Sequence, residues 1–296
     1  MTILLSGATG FLGSYLLKRF IQEGFRVIAL KRSTSNPYRI EKVIDKAIFY
    51  DIDTTDIEEI FERHDIDIVL NTVTDYGRIN KKISDILDTN LIFSIKLLEN
   101  AIKNGVKSFI NTDTLLEKEI NAYALSKNQL VQWMRFLSDQ INMVNIKIEH
   151  MYGPLDDENK FIYWVIKQLK DNAEKIDLTS GFQKRDFIYI DDIIEAYLRI
   201  IKNLEQFSSF EEFELGSGNA VEVREFLKLV CNEMKKTQLV ETRLNFGAVA
   251  YRANENMCMQ ADISKLRALG WQADVTLEDG IKTILEEESN DTTRTA

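Results

Sequence analysis

Short apolar runs alternate with longer amphipathic stretches over the first half of the chain. The apolar runs are rich in residues that favour buried strands, and each is followed by a stretch with helical spacing of its apolar residues. The runs occupy residues 2–6, 26–31, 47–51, 67–72, 108–112 and 145–150. Repeated strand–helix units require right-handed crossovers, so the pattern predicts an α/β fold with a doubly wound parallel sheet and helices on both faces.

The alternation becomes less regular after the sequence YGP at residues 152–154. Shorter elements follow, and they predict a smaller mixed lobe that packs against the carboxyl edge of the sheet and leaves a cleft. We therefore predict a sheet domain over residues 1–153 and a smaller lobe mainly over residues 154–285, with some segments returning to the sheet. Residues 286–296 are predicted to be a frayed polar tail.

Composition narrows the possible partners. The chain has 296 residues, of which 45% are hydrophobic, and a net charge of −10. This allows a sizeable core and argues against binding to nucleic acid. Two cysteines and two histidines without ligand spacing predict free thiols and no metal site. No apolar run approaches the roughly 18 residues that span a bilayer, and the first residues lack the basic region of a signal peptide. We expect a cytoplasmic protein with no membrane partner.

The segment GATGFLG follows the first predicted strand and opens the first predicted helix. Its glycines, Gly7, Gly10 and Gly13, allow positive φ, close approach of the backbone to a pyrophosphate and tight packing of helix against strand. Phe11 and Leu12 begin the helix, whose N-terminus then faces the phosphates. This arrangement predicts a Rossmann-type dinucleotide site.

The residues after the second strand select the dinucleotide. An NAD-binding domain usually has an acid there, whereas this chain has Arg32 and Ser33. An Arg guanidinium can form two parallel hydrogen bonds with a 2′-phosphate, and a Ser hydroxyl can donate another, so we expect NADP(H). The alternative is a solvated basic turn. Asp51 and Ile52, at the end of the third strand, are expected to contact the adenine.

Tyr123 and Lys127 are four residues apart in a stretch predicted to be a helix from about residue 121 to 139, so they share one face. A phenol with a pKa near 10 exchanges protons poorly at neutral pH. A nearby ammonium and an oxidised nicotinamide stabilise the phenolate and lower that pKa. Thr112, at the end of the fifth strand, can hydrogen-bond the substrate oxygen that Tyr123 protonates. We predict that the three residues transfer a proton.

These motifs resemble those of the extended short-chain dehydrogenase/reductases that act on nucleotide sugars, within the NAD-dependent epimerase/dehydratase family. The resemblance runs from residue 2 to about 285 and rests on GATGFLG, NTDT, YALSK, YGP, RDFIYIDD, ELGSG and DISKLRALGW. It implies catalysis by Thr112, Tyr123 and Lys127, with Lys127 also holding the nicotinamide ribose and Asn90 supporting the cofactor site. It further implies a homodimer built on the helices near residues 83–103 and 121–139.

The resemblance also implies a nucleotide diphosphate sugar as the substrate. Arg185 and Arg252 match arginines that bind the diphosphate, and Glu255 follows in the sequence YRANE; the alternative for either arginine is a salt-bridged surface residue. His150 either contacts the sugar or is a satisfied core histidine. The other expected substrate contacts are Tyr76, Asp113, Thr114 and Asn159.

Departures from the family pattern narrow the reaction. Thr114 stands where the related 4,6-dehydratases have a Glu that acts as acid and base, so elimination is not expected. Lys147 and His150 replace the Arg and Asn of the pattern RxxNxYGP. With TDYGR, INTDT, IEHMYGP and ENKFI, these features resemble the CDP-abequose synthase type, which serves deoxysugar and O-antigen (lipopolysaccharide) biosynthesis.

We therefore expect NADPH-dependent reduction of the C4 keto group of a CDP- or dTDP-linked 4-keto-6-deoxy or 3,6-dideoxy hexose. Two alternatives remain open from the sequence. One is a nucleotide-sugar 4-epimerase that retains NAD through oxidation and re-reduction. The other is a non-catalytic protein that senses NADP, although the complete set of Thr112, Tyr123 and Lys127 argues against it.

Overall fold

The computed structural model describes residues 1–78, 81–253 and 255–290. The chain forms two compact units. The first contains Met1–Ile148 and Tyr197–Glu214, and the second contains Glu149–Ala196 and the residues from Leu215 onward. The predicted boundary at residue 153 stays a prediction.

The first unit is built on a seven-stranded sheet with the order β11-β6-β5-β4-β1-β2-β3. The pairs within the first six strands are parallel, so the predicted doubly wound parallel sheet is confirmed. The order reverses between β1 and β4, the position at which such sheets bind ligands. The strands are β1 (Thr2–Ser6), β2 (Arg26–Lys31), β3 (Ile48–Asp51), β4 (Ile68–Asn71), β5 (Ser108–Thr114), β6 (Asn142–Ile148) and β11 (Phe210–Leu215).

Helices cover both faces of this sheet, which explains the continuous apolar runs of its strands. Ile3, Leu4 and Leu5 of β1 are completely buried. The helices that begin in this part of the chain are α1 (Phe11–Gln22), α2 (Ile57–Arg63), α3 (Ile83–Leu87), α4 (Phe93–Lys103) and α5 (Ala122–Phe136). A π-helical turn, Asp88–Ile92, joins α3 to α4.

The second unit is mixed, with three two-stranded pairs and several helices. β7 pairs with β10 and β8 with β13 in parallel, while β9 pairs with β12 antiparallel. The strands are β7 (His150–Tyr152), β8 (Lys175–Leu178), β9 (Lys184–Arg185), β10 (Phe187–Tyr189), β12 (Val221–Glu222) and β13 (Arg243–Phe246). The remaining helices are α6 (Phe161–Lys170), α7 (Ile190–Lys202), α8 (Val223–Lys235), α9 (Ser264–Ala268) and α10 (Leu277–Asn290).

The chain end differs from the expected polar tail in part. α10 continues through Asn290, so the first five residues of the predicted tail are helical, and residues 291–296 lie outside the described residues. Among the described residues, no helix combines the length and the apolar character needed to cross a bilayer.

Candidate active site

The glycine turn forms the cradle that the sequence predicts. Gly7 has a φ of +73°, and the Gly10 N–H donates to the Gly7 carbonyl over 2.9 Å. A Cβ atom on Gly13 would lie 2.1 Å from the same carbonyl oxygen, so only glycine lets α1 pack this closely on the turn. Phe11, Leu12 and Gly13 form the first turn of α1, whose N–H groups point toward the helix N-terminus. This cradle fits the pyrophosphate of a dinucleotide.

The expected 2′-phosphate region contains an acid that sequence reasoning missed. Asp53 accepts the Ser33 N–H over 2.8 Å and also bonds the Ser33 hydroxyl. The hydroxyl bond is the main cause that lowers the pKa of Asp53, so this carboxylate is charged at neutral pH. Neighbouring β2 and β3 bring the two residues together. The segment after β2 has no acid of its own, but Asp53, which follows β3, brings one to Ser33.

The other residues predicted to contact the adenosine part of the cofactor lie at the ends of β2 and β3. Asp51, expected at the adenine amino group, forms an ion pair with Lys31. The Ile52 N–H donates to the Lys31 carbonyl over 2.9 Å. Arg32 is exposed.

Sequence reasoning missed a cationic side chain, Arg39, that lies beside the glycine turn. Arg39 is buried, its guanidinium lies 4.7 Å from the centre of the Tyr38 ring, and it donates to the Thr9 carbonyl over 3.4 Å. Thr9 belongs to the glycine turn, thirty positions earlier. Arg39 therefore adds positive charge beside the cradle for the phosphates.

Lys127 is buried and held by the main chain. Its ammonium donates to the Thr112 carbonyl over 2.9 Å and to the Val73 carbonyl over 3.0 Å. These bonds use two of the three ammonium N–H groups. Burial lowers the pKa of Lys127 to about 8, and the Asp113 carboxylate acts in the opposite direction. The ammonium form still prevails at neutral pH.

Tyr123 lies beside Tyr76, with ring centres 5.0 Å apart. Burial raises the pKa of the Tyr123 phenol well above its ordinary value, and Tyr76 and Asp113 act in the same direction. A hydrogen bond from Thr114 and the charge of Arg78 oppose this increase. The sequence predicts a lowered pKa for this phenol. The protein groups around it raise the pKa instead, and burial is the largest cause.

Asn90 supports the loop that carries Tyr76. Its amide oxygen accepts the Asp75 N–H over 2.7 Å. Its amide nitrogen donates to the Asp75 carbonyl over 2.9 Å and to the Ser126 hydroxyl over 3.0 Å. Asn90 lies in the π-helical turn, an irregularity that is frequent at functional sites. Asn90 therefore ties the loop after β4 to α5, and its role at the cofactor site stays a prediction.

The two threonines at the end of β5 differ in their partners. The Thr112 hydroxyl is 2.7 Å from the Tyr197 hydroxyl, and both residues are buried. Thr114 is partly exposed, its hydroxyl oxygen accepts the Leu116 N–H over 3.2 Å, and it acts to lower the pKa of Tyr123. A cavity of about 180 Å³ is lined by Asp113, Thr114, Leu115, Leu116, Glu117, Lys118, Ala124, Asn128 and Lys147.

Asp113, expected to contact the substrate, is engaged within the first unit. One carboxylate oxygen accepts the Thr114 N–H over 2.8 Å, and the other accepts the Asn145 amide over 3.0 Å. Lys147, the replacement for the family arginine, pairs with Glu212 over 2.5 Å. These contacts stabilise the ends of β5 and β6.

The expected diphosphate residues lie in the second unit. Arg185 is buried, forms an ion pair with Glu255 and donates to the Asn256 carbonyl over 2.8 Å. The structure therefore brings Arg185 and Glu255 together. Arg252 is exposed, as is Asn159, which precedes α6.

His150 is not a core histidine, because its side chain is 39% exposed. Its Nδ1 lies 2.8 Å from a carboxylate oxygen of the buried Glu149. Such a carboxylate favours a proton on Nδ1, which leaves Nε2 as the atom for other contacts. Phe187 packs against the ring with centres 5.7 Å apart.

Comparison with known proteins decides the family. Residues 3–216 match the NAD dependent epimerase/dehydratase family. The chain belongs to this family. The CDP-abequose synthase of Salmonella muenchen is 36% identical over 96% of both chains, and that of Salmonella typhimurium is 32% identical over 96% of this chain and 97% of its own. The resemblance inferred from the motifs is thus confirmed.

Solved structures of nucleotide-sugar epimerases show the same fold. The UDP-glucuronic acid 4-epimerase from Bacillus cereus, in complex with UDP-glucuronic acid and NAD, superposes with a TM-score of 0.83. The match covers 98% of this chain and 99% of that one at 20% identity. At this identity the likeness extends to the fold alone.

Proposed function

We propose that this chain is an NADPH-dependent reductase of the C4 keto group of a nucleotide-linked 4-keto-6-deoxy or 3,6-dideoxy hexose, carried on CDP or dTDP. The observation that carries the proposal is the Tyr123 phenol, which packs beside Tyr76 and lies one helical turn from the buried Lys127 ammonium on α5. The similarity to CDP-abequose synthases along nearly the whole chain supports this reaction within the family.

In this proposal Tyr123 supplies the proton that the substrate oxygen takes up. Bound NADPH supplies the hydride for C4. Lys127, fixed by the carbonyls of Thr112 and Val73, donates its remaining N–H to the nicotinamide ribose. A hydroxyl of β5, from Thr112 or Thr114, acts beside the phenol. Tyr76 packs beside the phenol and limits the access of water to it.

The substrate's diphosphate is assigned to the second unit. Arg185, held by Glu255 and the Asn256 carbonyl, presents a preoriented guanidinium, and the exposed Arg252 adds a second one. His150 offers Nε2 to the sugar or to a phosphate oxygen. Asn159 is proposed to contact the nucleotide.

Thr114 argues against dehydration as the reaction. Removal of the C5 proton needs a carboxylate of suitable pKa, and a threonine hydroxyl does not ionise in the accessible pH range. The neighbouring carboxylate of Asp113 is engaged by the Asn145 amide and the Thr114 N–H. Besides the hydride that NADPH would supply, reduction needs only a proton donor, and Tyr123 is assigned this role.

A 4-epimerase that retains NAD is the second candidate function. The observation that favours it is Asp53, a charged carboxylate on Ser33, because acids in this region accept the ribose 2′-hydroxyl of NAD. Incubation with equimolar NADPH and a CDP- or dTDP-linked 4-keto-6-deoxyglucose separates the two. A reductase consumes NADPH in proportion to the 4-hydroxy product identified by NMR, whereas an epimerase leaves the reduced cofactor unchanged and converts 4-hydroxy sugars.

Asp53 also predicts a change in cofactor preference. The variant Asp53→Asn removes a negative charge next to Ser33, so NADPH should bind several-fold more tightly while NADH affinity does not improve. Fluorescence titration with both nucleotides measures this ratio. The exposed acid Asp45 provides the control, since Asp45→Asn changes the net charge equally. An equal gain in both variants would mean that Asp53 does not face the 2′ position.

We further propose that the chain forms a homodimer through α5 and the α3–α4 segment. Trp133 and Phe136 are 48% and 74% exposed and pack against each other with ring centres 6.0 Å apart. Leu125, Ile83 and Ile92, which lie on the same two segments, are also exposed. Trp133→Asp should therefore reduce the mass in sedimentation equilibrium to that of a monomer. Trp164→Asp, on α6, is the control, and dissociation by both variants would contradict the assignment.

A further inference from the structure

A buried carboxylate that the proposed mechanism does not use lies next to His150. The Glu149 side chain is 2% exposed, whereas that of His150 is 39% exposed. A Glu149 carboxylate oxygen lies 2.8 Å from Nδ1 of His150, and within the described part of the chain this is the only hydrogen bond of the carboxylate. Burial of a carboxylate costs free energy unless a partner compensates for its lost hydration. For Glu149 that partner is a partly exposed histidine.

The carboxylate determines which atom of His150 is available to a ligand. An ionised carboxylate has only acceptor atoms, so the ring must carry a proton on Nδ1 to form this bond. In the neutral imidazole, Nε2 then keeps its lone pair and accepts a hydrogen bond. The Phe187 ring packs edge to face against the imidazole at an interplanar angle of 72° and restricts its rotation. His150 thus presents a preoriented acceptor.

His150 lies on the same face of its strand pair as Arg185. β7 and β10 are parallel, and His150 is the register partner of Phe187. Arg185 and Phe187 are two residues apart at consecutive strands of one extended segment, so their side chains leave the chain on the same side. The contact between the rings of His150 and Phe187 puts the imidazole on that side too. The imidazole therefore shares a face with the guanidinium assigned to the diphosphate.

The chemistry of the Glu149–His150 pair favours a hydroxyl group as its ligand. Diphosphate oxygens accept hydrogen bonds, so they cannot donate to Nε2, and their charge is repelled by that of the carboxylate. A hexose carries hydroxyl groups that can donate to Nε2. In the proposed function Arg185 and Arg252 already supply positive charge to the diphosphate. His150 then extends the same face toward the sugar.

We propose that Glu149 is a positioning residue that holds His150 in the Nδ1–H tautomer, so that Nε2 accepts a hydrogen bond from a hydroxyl group of the hexose. The inference rests on the proposed function, because it takes a nucleotide sugar as the ligand. In the family pattern RxxNxYGP an Asn stands at position 150, and its amide oxygen accepts without help from residue 149. Glu149 is needed because this chain has a histidine there.

Nitrogen NMR tests the tautomer without substrate. The chain has two histidines, so labelling of histidine gives two sets of ring signals. His64, whose Nε2 lies 2.9 Å from the Tyr50 hydroxyl in the first unit, is the internal reference. At pH 8 we expect Nδ1–H for His150, and Glu149→Leu should lose most of this tautomer while the His64 signals stay unchanged. A proton on Nε2 in the wild type, or an unchanged tautomer in Glu149→Leu, would overturn the proposal.

Matched nucleotides test the ligand. Calorimetry with CDP and dTDP, and with CDP-glucose and dTDP-glucose, separates contacts to the hexose from contacts to the diphosphate. Glu149→Leu should weaken binding of the glucose conjugates about tenfold, as for loss of one hydrogen bond, and leave the free diphosphates within about twofold. An equal loss for the free diphosphates would show that Nε2 binds phosphate. The control is Glu233→Leu, a buried acid of α8 paired with Lys236, which should change neither affinity.

A double-variant cycle separates positioning from a general structural role of Glu149. In the background His150→Asn, Glu149→Leu should cause no further loss of affinity for the glucose conjugates, because the amide does not depend on residue 149. A loss as large as in the wild-type background would show that Glu149 does not act through His150. Binding and coupling as expected, without reduction of keto sugars by the wild type, would refute only the proposed reaction.

Discussion

Tyr123→Phe is expected to lower kcat by about a thousandfold, within the range of general acid catalysis. Phenylalanine fills the same space beside Tyr76 but has no proton for the developing alkoxide. NADPH affinity should stay nearly unchanged, because Lys127 is held by the carbonyls of Thr112 and Val73 and not by the phenol. Consumption of NADPH at saturating substrate gives kcat, and fluorescence titration gives the affinity.

Tyr76→Phe is the matched control for this experiment. It removes a hydroxyl from the neighbouring ring, 5.0 Å away between centres, and keeps the aromatic packing. At saturating substrate we expect its kcat to remain within a few-fold of the wild-type value, whereas loss of the Tyr76 hydroxyl as a substrate contact would raise KM. Turnover by Tyr123→Phe near the wild-type rate would show that another group donates the proton.

NADPH affinity is expected to fall as the pH rises through about 8, the pKa to which burial lowers the Lys127 ammonium. The charged form, which can donate to the ribose, prevails below this pH and is lost above it. If binding requires the ammonium, the dissociation constant rises up to about tenfold for each further pH unit. Fluorescence titrations between pH 6.5 and 9.5 measure this dependence.

The variant Lys127→Met separates the ammonium from other titrating groups. It fills the same buried volume, so its NADPH affinity should be low at neutral pH and nearly flat across the range. Asp113 opposes the effect of burial on the pKa of Lys127. Asp113→Asn should therefore move the loss of affinity to lower pH. A wild-type affinity that stays constant to pH 9.5 would exclude Lys127 as the titrating donor.

The sheet could be predicted from the sequence because its signals are local. Strands buried on both faces appear as short apolar runs such as TILLS and RVIALK, and both runs form strands with these bounds. The glycine turn was equally predictable from its motif. At Gly7 and Gly13 a Cβ atom would lie too close to neighbouring atoms, so glycine is required there. The Tyr123–Lys127 pair followed from helical spacing, and α5 contains both residues.

The environment of each site residue could not be predicted in the same way. Asp53 reaches Ser33 across twenty positions, and Arg39 reaches Thr9 across thirty. The Thr112–Tyr197 bond joins residues 85 positions apart. No spacing rule links such residues, because strand register and helix placement bring them together. The direction of the Tyr123 pKa shift was missed for a related reason: burial depends on all neighbouring elements.

The sequence by itself determined the family, the parallel sheet and the placement of Tyr123 and Lys127 on one helix, because each depends on short motifs whose geometry is set by one turn, strand or helix. Only the tertiary structure decided which partner the Thr112 hydroxyl bonds, which acid accepts the Ser33 N–H and how Lys127 is held. These outcomes depend on hydrogen bonds between distant segments, and a buried polar group bonds whichever partner the packed sheet and helices place within reach.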